Sequence, residues 1–178
     1  MLLGELRPVV SVKELMRSGI DPLADDIFEA VGTSVSTAGV TEIAPRNEDD
    51  WAKVRIAAVV LAEAANLLKI PRPFAPPGDL NDSSGPDAPE LSPDAIKTRV
   101  EADLPRWNSH VEAMRAVAVD VLDVVKRKDV SALDDAAARL DRACENCHLE
   151  YWYPGDRKII ADILADRKKT AAEEKAKR

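Results

Sequence analysis

The chain has 178 residues and a formal net charge of −7, from 25 Lys and Arg against 32 Asp and Glu. That length suits one ordinary domain, and the acidic balance excludes a general binder of nucleic acid or anionic membrane. With 46% hydrophobic residues, 4% aromatic residues and 7 Gly, the composition excludes a disordered chain and disfavours a β-sandwich or barrel, which leaves an all-α domain. No apolar run approaches the roughly 20 residues that a spanning helix needs, so no membrane span is expected.

Residues 1–10 form an N-terminal extension without the basic start, long apolar stretch and cleavage site of a signal peptide. Ser11-Val12-Lys13-Glu14 is a capping box, in which hydroxyl and carboxylate satisfy each other's unpaired amides. It opens an apolar pattern through Leu15, Met16, Ile20, Leu23, Ile27, Phe28 and Val31 that stops at Gly32. Pro22 falls inside this pattern and predicts a kinked or broken first helix. Residues 33–46, with Gly39 and Pro45, read as a loop. Asn47-Glu48-Asp49-Asp50 starts a second helix, and Trp51, Val54, Ala58, Leu61, Ala65 and Leu68 trace its buried seam as far as Pro71.

Residues 71–92 carry Pro71, Pro73, Pro76, Pro77, Pro86 and Pro89 and read as a long connection over the surface with no function of its own. Ser92-Pro93 opens a short helix to about Asp103, and Pro105 begins a long one to about Lys128. Trp107, Val111, Met114, Ala118, Val121 and Val125 form the seam of the long one. A further helix starts at Ser131 with Leu133, Ala137, Leu140, Cys144 and Cys147 on one face, and runs into Tyr151-Trp152-Tyr153. Ile159, Ile160, Ile163 and Leu164 mark an added amphipathic helix over 156–167, followed by a fraying tail. The simplest architecture is a four-helix bundle over 11–153, with the Pro-rich inter-helix connection at 71–92 and an extra C-terminal helix and tail over 154–178.

Chemistry concentrates in one string. Cys144 and Cys147 are the only cysteines, and one of the two histidines, His148, follows directly. On a helix, residues three and four apart share a side, so both thiols and the imidazole project together. Cys-x-x-Cys-His is the attachment signature of c-type haem: two thiols add to the two vinyl groups of a porphyrin and the imidazole reaches the iron. Three other uses compete. A thioredoxin-like dithiol needs a preceding strand in a βαβ setting, whereas 133–143 reads as helix. A structural zinc site wants four ligands, which would require both histidines and the adjacent Cys147 and His148. A pair of cysteines without a role leaves the histidine unexplained.

The string lies late in the chain, on the last helix of the expected bundle. With Ala143-Cys144-Glu145-Asn146-Cys147-His148-Leu149-Glu150-Tyr151, the helical pattern and Met16 in the first helix, the chain resembles class II cytochromes c, the cytochrome c′ group, over residues 11–153. The resemblance implies one covalently bound haem c between helices, with thioethers to Cys144 and Cys147 and His148 as proximal iron ligand. A residue early in the first helix would cover the other face, and Met16 stands where a sixth ligand is expected; a thioether there favours ferrous iron and raises the potential. Met114 and His110 are rival donors. The chain departs from the group in the length of the 71–105 connection, in Trp152-Tyr153-Pro154, in the added helix and in Pro22.

The expected function is transfer of single electrons in the periplasm between redox partner proteins, without catalytic residues; a homodimer is among the assemblies the resemblance implies. The alternative is a five-coordinate haem protein that binds NO or CO for sensing or scavenging. Haem attachment follows export, so the periplasmic address that the resemblance implies expects this chain, without a leader, to be a mature or engineered form.

Overall fold

The computed structural model describes residues 6–37, 39–79 and 90–157. Helices dominate, yet the expectation of an all-α four-helix bundle is overturned. The elements in order are α1 (Val12–Leu15), a π-helical turn (Met16–Ile20), α2 (Asp21–Phe28), strands β1 (Gly32–Ser36) and β2 (Gly39–Ile43), then α3 (Glu48–Leu68), α4 (Pro93–Ala102), α5 (Leu104–Arg127) and α6 (Val130–Tyr151). Three helices are long; the element expected as the fourth is a chain of short pieces.

Pro22 accounts for that segmentation. A proline ring collides with the carbonyl four residues back, and the preceding turn relieves the clash by widening to π geometry. The amide of Asp21 accordingly donates to the carbonyl of Met16, five residues away. Ahead of it Ser11 and Glu14 form the capping box, with the Glu14 amide donating to Ser11 Oγ at 3.3 Å and the Ser11 amide donating to Glu14 Oε2 at 2.9 Å.

The stretch expected as a loop holds the two-stranded antiparallel sheet. Gly32 pairs with Ile43, Val35 with Val40, and Ser36 with Gly39. Val35, Val40, Thr33, Thr41 and Ile43 are β-branched, which suits extended backbone. Gly32 and Gly39 have φ of 147° and 128°, values that L side chains rarely adopt. Most of the hairpin is exposed.

Both predicted seams are buried in full: Trp51, Val54, Ala58, Leu61, Ala65 and Leu68 on α3, and Trp107, Val111, Met114, Ala118, Val121 and Val125 on α5. The small alanines of α3 let α5 approach closely, so these two helices share the most extensive contact. On its other side α5 packs on α6, which contributes Leu133, Ala136, Ala137 and Leu140 to the same core, and α2 adds Ala24 and Ile27.

The described ends of the Pro-rich connection are docked rather than loose. The amides of Val12 and Lys13, which lack an acceptor within α1, donate to the carbonyls of Pro73 (2.9 Å) and Phe74 (3.0 Å). Arg72 donates through Nη2 to the Leu67 carbonyl at 2.7 Å, and the Leu91 amide donates to the Trp152 carbonyl at 2.7 Å. The expected C-terminal helix falls almost entirely on residues outside those described. Among the described residues, no helix is long and apolar enough to cross a membrane.

Candidate functional site

Helix α6 starts at an Asp129 cap, whose side chain accepts from the Ala132 amide, and carries Cys144, Cys147 and His148 on its last turns. All three are half-buried, and no disulfide joins the sulfurs. The helix continues the apolar face of Leu133, Ala137 and Leu140 into the thiols, so the same periodicity that packs the core places the sulfurs against it. The imidazole of His148 sits edge-on to Trp152, ring centroids 5.2 Å apart, and is tilted against Tyr153 at 5.9 Å. Tyr153 is anchored in turn, its hydroxyl donating to Glu145 Oε2 at 2.7 Å.

Burial sets the protonation of the three groups. It pushes Cys144 up to about 11, helped by the nearby carboxylates of Asp21 and Asp141. Burial likewise pushes Cys147 up to about 12, with Cys144 and Glu150 adding to it. It lowers His148, against the pull of Asp21 and Glu145. At neutral pH the thiols are protonated and the imidazole is neutral. A redox dithiol of the thioredoxin kind has the opposite character, with one thiol held well below its ordinary value.

Beside the motif lies a cleft of about 820 Å³, its open mouth included. Its lining is mainly apolar and comes from four parts of the chain. Val12, Met16, Arg17 and Asp21 come from the segmented first element; Phe74 and Leu91 from the ends of the Pro-rich connection; Ile96 and Trp107 from α4 and α5; and Cys147, His148, Tyr151 and Trp152 from the end of α6. Met16 and His148 therefore border one space, whereas Cys144 is not among the lining residues. The π turn brings Met16 and Asp21 to the same cleft; an unbroken α-helix would turn residues five apart to different sides.

The two rival donors lie elsewhere. Met114 is 5% exposed and belongs to the core between the long helices. His110 is engaged by Glu150, Nε2 to Oε2 3.2 Å, and stands edge-on to Tyr151 with ring centroids 5.8 Å apart. Neither lines the cleft. Among the described residues, no three His, Cys, Asp or Glu side chains converge in a way that could hold a metal ion, so the four ligands of a structural zinc site are not assembled. A haem iron asks less of the chain, one imidazole and at most one further donor.

Asp21, Phe74, Trp107 and Tyr151 line the cleft as well, and none of them received a part in the site from sequence alone. Tyr151 had a legible position, three residues after His148 and four after Cys147 on the same helix. It is 4% exposed, and its hydroxyl is buried with no hydrogen-bond partner among the described residues. The donor set therefore fits a haem: two thiols one helical turn apart, the imidazole that follows them, and a thioether lining the same apolar cleft as that imidazole.

No family model, no curated protein and no solved structure matches the chain.

Proposed function

We propose that the chain is a c-type haem protein, similar to class II cytochromes c, that carries single electrons in the periplasm. One observation carries the reading: His148 and Cys147, with Cys144 one helical turn back in attachment register, adjoin an apolar cleft that Met16 also lines. Cys144 and Cys147 would hold the porphyrin through thioethers, each S–H adding across one vinyl double bond with no oxidant consumed. His148 would hold the iron, and Met16 is the donor for its sixth position. When bound, the haem supplies the one-electron couple.

The residues around it bind, orient and exclude water. Trp152 and Tyr153 fix the His148 ring, and Tyr153 is itself fixed by Glu145. Phe74, Leu91, Ile96 and Trp107 keep the cleft apolar, which lowers the local dielectric and so tunes the potential. The net charge of −7 favours a partner with a basic docking face and makes the association rate fall with salt.

The test is intact mass and a visible spectrum of the chain made with and without haem-attachment machinery. The wild type gains the mass of one haem and a low-spin ferrous spectrum; the Cys144→Ala, Cys147→Ala double variant gains neither. A colourless chain of bare polypeptide mass, made with the machinery present, sinks the reading. Immediate CO binding by the ferrous form would leave Met16 off the iron and assign the protein to gas binding instead.

A further inference from the structure

The π turn between α1 and α2 decides which side chain faces the cleft. In an unbroken α-helix, residues at i, i+4, i+8 and i+11 share one stripe. Met16, Ile20, Ala24 and Ile27 stand at that spacing, and the last three are buried in the core. A regular helix over 12–28 would therefore align Met16 with Ile20 and turn its thioether into the core.

A widened turn holds one residue more, so positions five apart come into line. Leu15 then falls in line with Ile20, and Met16 with Asp21. The cleft records the shift: Val12, Met16 and Asp21 line it, and Leu15 and Ile20 do not. Leu15 packs against the core instead. The bond from the Asp21 amide to the Met16 carbonyl closes the wide turn.

Pro22 supplies the reason for the widening. Without an N–H it cannot bond the carbonyl of Ser18, and in an α-helix its ring would collide with that group. Core packing gives no such reason, because the flexible Met16 would fill the stripe as readily as Leu15 does. Turns of this kind gather at functional sites. We infer that Pro22 is a positioning residue: it holds the π turn that keeps Met16 out of the core stripe and on the cleft shared with His148. This rests on the haem reading above and deepens it, since through Met16 the proline sets whether the iron is six-coordinate.

The experiment compares wild type, Pro22→Ala, and Pro22→Ala with Ser18 deleted. Alanine lets the turn relax to α geometry and carries Met16 onto the core stripe. Deletion of Ser18, an exposed residue, removes the extra position. Met16 then lies four before Asp21 and returns to the cleft on a regular helix. In the empty chains, peroxide oxidation of each methionine is followed by peptide mass. Met16 of the wild type oxidises faster than Met114, which is 5% exposed. In Pro22→Ala its rate falls to that of Met114, and the deletion restores it. With haem attached, Pro22→Ala loses the sulfur-to-iron charge-transfer band and its ferrous form takes up CO at once. The deletion restores the band and blocks CO.

A Met16 oxidation rate that Pro22→Ala leaves unchanged overturns the inference. So does a change that the deletion fails to reverse, which makes the proline a folding residue only. Wild type alone gives a check that survives a variant that fails to fold: a hydrogen-bond scalar coupling between the Asp21 nitrogen and the Met16 carbonyl carbon. Its absence overturns the inference. A wild type that takes up no haem overturns the haem reading, and the oxidation rates of the empty chains still judge the proline. A loaded wild type that takes up CO at once, or a Pro22→Ala chain that keeps its band, overturns the inference while the haem stands.

Discussion

Where α3 meets α5, the facing residues are mostly alanine, valine and leucine, with Trp51, Trp107 and Met114, and Ala58, Leu61, Ala65, Ala118 and Val121 are fully buried. Where the end of α6 meets the π turn, the residues are half-buried thiols, aromatic rings and a thioether, and the buried hydroxyl of Tyr151 has no partner among the described residues. The first region is complete in itself: every side chain finds its complement within the chain. The second has a widened turn, thiols displaced from their ordinary ionisation and a cleft. Departures from local rules gather at functional or strained sites. The contrast separates residues that hold the fold from those to which the proposed haem site assigns a role.

Replacing Leu61 by Ala strikes the complete region. It leaves a cavity between α3 and α5 and lowers unfolding free energy by about 2–5 kcal/mol, read by urea denaturation of the empty chain. A cost under about 1 kcal/mol would mean that the seam collapses around the gap, and the contrast between the two regions would fade.

Acid sharpens the comparison at the far end. Arg106, with Arg157 and His110, hydrogen-bonds Glu150 and holds its carboxyl at about 2, down from an ordinary 4.5. A group depressed on folding contributes stability above its unfolded value and loses it as pH falls through the folded one. Stability therefore declines between about pH 4.5 and 2 in the wild type, by roughly 1 kcal/mol from this cluster after allowance for its partial solvation. Glu150→Gln flattens that part of the curve. An unchanged slope in the variant would show that the cluster does not tie α5 to α6 in solution.

The smallest effect is expected in the hairpin. Val35 is 77% exposed and Val40 69%, so Val35→Thr keeps the β-branch and changes stability by less than about 0.5 kcal/mol. A loss well above that, in the same denaturation assay, would reveal that the hairpin is packed on something rather than standing in solvent.

The long helices were legible because their signals are repeated. Each seam on α3 and α5 offers six apolar residues at helical spacing, and Asn47 and Ser92 announce starts that the backbone adopts. The start of α6 was misread by two residues, since Asp129 rather than Ser131 supplies the cap. The hairpin was missed because serines and glycines hide its alternation; β-branched residues at 33, 35, 40, 41 and 43 were the available signal. The bundle failed as an architecture at Pro22, where the sequence announced a break but not the π turn that repairs it. The motif on α6 was legible as letters at fixed spacing. Its cleft was not, since Met16, Phe74, Leu91, Trp107 and Tyr151 are distant in sequence and meet only through tertiary packing.

Burial of the two sulfurs bears on when they react. With Cys144 at about 11 and Cys147 at about 12, only on the order of one thiol in 10⁴ or fewer is ionised at neutral pH, and the anion is the reactive form. Alkylating reagents and small disulfides thus meet a nearly inert pair once α6 has docked. Any bond that these sulfurs make is most readily made earlier, on a chain whose last long helix is still free of its neighbours.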